Sequence, residues 1–174
     1  MSLIFLIGMP LSGKSYRAKQ LSEAYHIPYV DIDVIIETEK QMPIAMIFET
    51  EGEGTFRRYE QEVLNKIIAD NKTPMIVACG GGTPIFFDNL SAMKKAGCII
   101  YLKANVITLT QRFEAAEEQN GRPLLASITD IEIELETLLE ERKYIYEQAD
   151  YTIDVSTASI SNFKEIINLC TNGH

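Results

Sequence analysis

The stretch Gly8-Met9-Pro10-Leu11-Ser12-Gly13-Lys14-Ser15 sets two glycines, an ammonium and a hydroxyl at the spacing G-x-x-x-x-G-K-[ST]. Glycine belongs where a loop needs positive φ or must bring bare backbone against a ligand. Successive N–H groups of such a loop converge on phosphate oxygens, beside the positive end of the helix that follows. Lys14 then reaches the β- and γ-phosphates of a nucleotide, and the Ser15 hydroxyl ligates Mg²⁺. The bland alternative is a strand-to-helix turn with a surface lysine, but the full motif arises by chance in only roughly one chain per hundred of this length.

What receives the phosphate must be read from four further groups. Asp31 and Asp33, in Val30-Asp31-Ile32-Asp33, end an apolar run and point the same way if a strand continues through them. One would then support a metal shell and the other accept a hydrogen bond from a hydroxyl nucleophile; a turn or helix cap is the competing reading. Arg57 and Glu60, in Phe56-Arg57-Arg58-Tyr59-Glu60, share a helix face. An arginine there either clamps a carboxylate through two parallel bonds or forms an ordinary surface ion pair. Gly80-Gly81-Gly82 leaves backbone open to a ligand or to the phosphate loop. Arg122, in Gly121-Arg122-Pro123-Leu124-Leu125, could close over a γ-phosphate, and Arg142 could supply a second carboxylate clamp. Taken singly, both would pass for solvated surface arginines.

The elements that must position these groups follow from short apolar runs alternating with amphipathic stretches. Strands are predicted at Leu3–Ile7, 29–32, 75–79, 98–102 and 151–155. Helices are predicted at Lys14–Tyr25, 53–69, 85–96, 105–118, 131–148 and 159–169, the fifth with Ile131, Leu135, Leu138 and Leu139 on its apolar face and glutamates opposite. Such alternation points to an open parallel sheet with helices on both faces, whose ligands bind at the carboxyl ends of the strands. Asn120-Gly121-Arg122-Pro123 breaks the helical pattern and predicts a mobile excursion.

With 174 residues, the chain is expected to form a single domain over 1–174. A net charge of −9 argues against nucleic acid or an anionic membrane as partner, while small anions need only a local cluster of Lys and Arg. Cys79, Cys98 and Cys170 lack metal-type spacing, and the first two lie in apolar runs, so buried free thiols are expected. His26 and His174 cannot build a metal site between them. The first apolar run is too short to span a bilayer, and no basic leader precedes it. A monomer in a reducing cytoplasm is the expectation.

Taken in order, Gly8-x4-Gly13-Lys14-Ser15, Val30-Asp31-Ile32-Asp33, Phe56-Arg57-Arg58-Tyr59-Glu60, Gly80-Gly81-Gly82, Arg122-Pro123-Leu124-Leu125 and Glu141-Arg142-x3-Tyr146 resemble the shikimate kinase family over essentially the whole chain. The resemblance implies a three-layer α/β P-loop kinase fold, with a five-stranded parallel sheet flanked by helices. It implies a substrate-binding region at about 33–60 and a mobile lid at about 114–126. The implied reaction passes the γ-phosphate of ATP, with Mg²⁺, to the 3-hydroxyl of shikimate, on the path to aromatic amino acids.

By the same resemblance, Gly8 to Tyr16 hold the nucleotide, with Lys14 on its phosphates, and Ser15 and Asp31 attend the metal. Asp33 contacts the ring hydroxyls and acts as base. Arg57 and Arg142 hold the shikimate carboxylate, Gly80, Gly81 and Gly82 lie beside the substrate, and Glu60, Phe48 and Phe56 line its pocket. Arg122 matches the lid arginine and Arg112 the one stacking near adenine. Tyr16 replaces a common Thr, and Lys143-Tyr144-Ile145-Tyr146 lacks a common Pro. Two rival readings are another small-metabolite kinase, such as a gluconate kinase, and a nucleotide-binding regulator without catalysis.

Overall fold

The computed structural model describes residues 3–115 and 131–172. Five parallel strands form one sheet in the order β2-β3-β1-β4-β5. They are β1 (Leu3–Ile7), β2 (Tyr29–Asp31), β3 (Met75–Ala78), β4 (Gly97–Lys103) and β5 (Tyr151–Asp154). The helices are α1 (Lys14–Tyr25), α2 (Ile32–Lys40), α3 (Ile44–Glu51), α4 (Glu53–Asp70), α5 (Asn89–Ala96), α6 (Val106–Glu114), α7 (Ile131–Tyr146) and α8 (Ile160–Asn172). Every residue of β1 is buried, because a central parallel strand is covered on both faces and reads as an unbroken apolar run.

Register brings three strand ends level. Asp31 pairs with Ala78, and Ala78 with Leu6. The chain therefore leaves β2 toward Asp33, β3 toward Gly80 and β1 toward Gly8 at one edge of the sheet, where open α/β sheets bind ligands.

Two expectations need correction. The second strand does not continue through Asp33. Asp31 caps α2, its Oδ1 accepting from the N–H of Asp33 at 3.0 Å and of Val34 at 3.4 Å, so Asp33 sits in the first helical turn. Asp31 thus acts as the helix cap through this one oxygen. Cys98 and Cys170, expected as free thiols, are joined in a disulfide, because the fold sets the start of β4 against the last turns of α8 with Cα atoms 5.6 Å apart. Cys79 is free and buried, as expected. The glutamates of α7 face solvent and Leu135 the core, also as expected.

α8 carries no predicted site residue, yet it packs on β1 and α1. Arg17 of α1 donates from Nη2 to Ala158 O at 3.2 Å and lies 5.3 Å from the Phe163 ring centroid. The Tyr25 hydroxyl donates to Ile160 O at 2.8 Å. No described helix is long and apolar enough to cross a membrane.

Candidate active site

The loop from Gly8 to Gly13 joins the central strand to α1. Gly13 holds φ 90° at the helix start, a conformation glycine adopts without a Cβ penalty. Lys14 is buried, and its Nζ donates to Gly8 O at 3.0 Å and Met9 O at 2.9 Å. From α6, Arg112 braces the loop by donating to Leu11 O at 2.9 Å. Pro10 to Tyr16 line a cavity of about 610 Å³, while Gly8 and Met9 support Lys14 from below. Ser15 and Tyr16 stand exposed at its opening, so the departure at Tyr16 costs the loop nothing.

The same cavity extends to the ends of β2 and β3, where Asp33, Phe48, Phe56, Arg57 and Glu60 line it with Gly80, Gly81 and Gly82. Arg57 is 3% exposed, which rules out the surface ion pair. Its Nη1 meets Glu60 Oε2 at 2.6 Å and its Nη2 meets Glu53 Oε1 at 2.9 Å. Three rings surround the guanidinium: Phe48, Phe56 and Phe86, with centroids 5.7, 5.2 and 4.6 Å away. Glu60 is buried, and its second oxygen accepts from the Thr83 hydroxyl at 2.6 Å. Charge pairing plus this hydrogen bond lets a carboxylate and a guanidinium remain ionised away from water.

The glycine turn is shaped by these side chains. A Cβ on Gly80 would overlap Glu60 Oε1 and crowd Asp33 Oδ1 at 3.0 Å, and one on Gly82 would overlap the Arg57 guanidinium. Asp33 is part-exposed as a residue, but its Oδ1 is shut from water and has no hydrogen-bond partner among the described residues. Burial first, then the charges of Glu60 and Asp31, raise its pKa to about 7, against the pull of Lys14 and Arg57. A carboxyl poised there can hold or release a proton near neutrality.

Arg142 is buried, not solvated, and its Nη1 has no hydrogen-bond partner among the described residues. It does not line the cavity itself. α7 runs unbroken to Tyr146, whose hydroxyl donates to Gly81 O at 2.6 Å. Arg122, and the expected lid from residue 116 onward, lie outside the described residues. Glu53, Thr83, Phe86 and Tyr146 escaped the reading as site groups; Thr83 directly follows the three glycines and Tyr146 ends the last motif, which were the available signals.

As for a metal, no group of three or more His, Cys, Asp or Glu side chains suited to one occurs among the described residues. A Mg²⁺ carried by a nucleotide needs only one or two protein oxygens beside its phosphates. The exposed Ser15 hydroxyl can provide one. Asp31 lends its Oδ1 to the α2 cap.

A phosphate loop at the end of the central strand, facing an arginine–carboxylate pocket across one cavity, defines a P-loop kinase. The family model described as shikimate kinase matches residues 10–171. The chain belongs to the shikimate kinase family, and is thus an enzyme with ATP as co-substrate. A shikimate kinase of Legionella pneumophila (strain Corby) is 36% identical over 158 residues, 90% of this chain and 87% of that protein. The structure titled shikimate kinase from Acinetobacter baumannii in complex with shikimate superposes with a TM-score of 0.86 at 30% identity, covering 97% of this chain and 92% of that one. A gluconokinase from Sinorhizobium meliloti 1021 reaches a TM-score of 0.57 at 16% identity, over 99% of this chain and 90% of that one; that likeness shows the fold alone.

Proposed function

We propose that this chain transfers the γ-phosphoryl group of ATP to the 3-hydroxyl of shikimate, releasing shikimate 3-phosphate and ADP. The observation that carries the reading is Arg57, buried between two carboxylates and three rings in the cavity that also holds the phosphate loop. A guanidinium fixed in that way is pre-aimed at a carboxylate, with little rotamer freedom left to lose on binding. Arg142, whose buried Nη1 has no partner among the described residues, serves as the second clamp.

Phosphoryl transfer asks for positioning and charge balance rather than covalent help. Lys14 moves from the carbonyls of its own loop to the β- and γ-phosphates. The loop N–H groups and Arg112 hold the nucleotide, with Tyr16 at its rim. Asp33 orients the attacking hydroxyl and takes its proton, while Glu60 keeps Arg57 in place and Gly80 to Gly82 admit the ring. Arg122 is assigned to cover the transferring group. Ser15 and Asp31 would hold Mg²⁺, directly or through water, and the ion when bound neutralises phosphate charge. The chain works as one domain and one monomer in the cytoplasm, with small-molecule partners only.

The test is ADP release measured with shikimate, with gluconate and with no acceptor, each with Mg²⁺ or excess chelator. Turnover with shikimate alone, abolished by chelation, is expected. Turnover with gluconate instead, or none above the acceptor-free rate, would overturn the reading.

A further inference from the structure

Tyr146 follows Arg142 by four residues on α7, so both side chains lie on one helix face. Its side chain is fully buried and its ring stacks on Tyr101, with centroids 5.2 Å apart. Packing accounts for the ring, since phenylalanine would fill the same volume. It does not account for the hydroxyl, which is polar, buried and bonded at 2.6 Å to Gly81 O. Burial pushes that phenol up to about 12, so it stays protonated and donates across any working pH. Arg142, one turn earlier on the same face, and Arg57 both act on it through their charges.

Gly81 is the centre of the turn. A Cβ there would meet Pro10 Cδ of the phosphate loop at 2.8 Å, and the next residue, Gly82, abuts the Arg57 guanidinium. One hydroxyl thus joins the helix bearing Arg142 to the backbone lying between the phosphate loop and Arg57.

We propose that the Tyr146 hydroxyl is a positioning group for the acceptor acid: donating to Gly81 O from the helix face that also carries Arg142, it holds the glycine turn and the second guanidinium in one arrangement before the acid arrives. Without it, the ring still packs, but Arg142 and the turn adjust independently and the acid must order them on binding. The inference rests on the assignment of a carboxylate acceptor made above.

The experiment is steady-state kinetics and ADP binding for Tyr146→Phe, alone and in an Arg142→Ala background. Expected is a rise of about tenfold in KM for shikimate, with kcat and ADP affinity within twofold of the parent, the scale of one lost buried hydrogen bond. In the Arg142→Ala background the same change should add less than twofold, because the hydroxyl serves to align the turn with the guanidinium that is then missing. An unchanged KM, a full independent effect in the Arg142→Ala background, or loss of ADP binding and folding would each overturn the proposal, the last by making the hydroxyl a general structural support. Failure of the underlying reading is distinguishable: the parent enzyme itself would release no ADP with shikimate, and both would fall together.

Discussion

The Asp33 carboxyl lies among Glu60, Asp31, Lys14 and Arg57, and burial outweighs the two cations in raising its pKa to about 7. Its folded form binds a proton more tightly than the unfolded chain does. The associated stability is therefore complete below pH 4 and is lost as pH rises toward and through 7, a total on the order of 2–4 kcal/mol. Asp33→Asn removes that loss, so its urea midpoint at pH 8 should exceed the parent's, with the gap closing toward pH 4. Activity should move the other way. With Asp33 as base, kcat/KM for the acceptor climbs with pH until about 7 and then levels, and Asp33→Asn lowers kcat by about 100-fold or more with ADP affinity retained. A flat pH profile, or near-normal turnover in the variant, would remove Asp33 from the chemistry.

The turn after β3 is where an element, rather than a residue, would set the acceptor end proposed above. Gly82→Ala puts a methyl group into the Arg57 guanidinium, which cannot retreat because Glu53, Glu60 and three phenylalanine rings hold it. We expect KM for the acceptor to rise by about tenfold or more while ADP affinity, measured by calorimetry, stays within twofold. Equal damage to both would mean that the turn serves the whole cleft. The phosphate loop and α1 were legible because their chemistry is contiguous in sequence, and the predicted bounds of α1 match those observed. The helices α2 and α3 were not. No element was expected between residues 32 and 53, where β-branched Val34, Ile35 and Ile36 weigh against a helix; the Asp31 cap starts one there. Arg57 and Arg142 looked like surface residues singly; their burial comes from Phe48, Phe56, Phe86 and Tyr146, whose convergence no local spacing reveals.

At the scale of the whole molecule, a chain of net charge −9 concentrates Lys14, Arg57 and Arg112 around one cavity, which reconciles an acidic protein with two anionic ligands. The Cys98–Cys170 bond belongs to this scale as well, since spacing gave no hint of an encounter 72 residues apart. It persists only in oxidising surroundings; in the cytoplasm proposed above the two thiols face each other unbonded. Protein purified in air and denatured without reductant should expose one reactive thiol, and three after reduction. Reduction should lower the unfolding free energy by up to about 4 kcal/mol, the loop-closure value for 72 residues. Three thiols before reduction would show that the bond does not form.

The Arg17 and Tyr25 attachments tie the final helix and the residues just before it to α1, the helix that opens at the phosphate loop, and Cys170 ties it to β4. It behaves as a splint along the outside of α1, and a loosened splint lets the nucleotide cradle sway. Shortening the protein after residue 158 should accordingly weaken its hold on ADP first, an injury felt at the opposite end of the sequence from the cut.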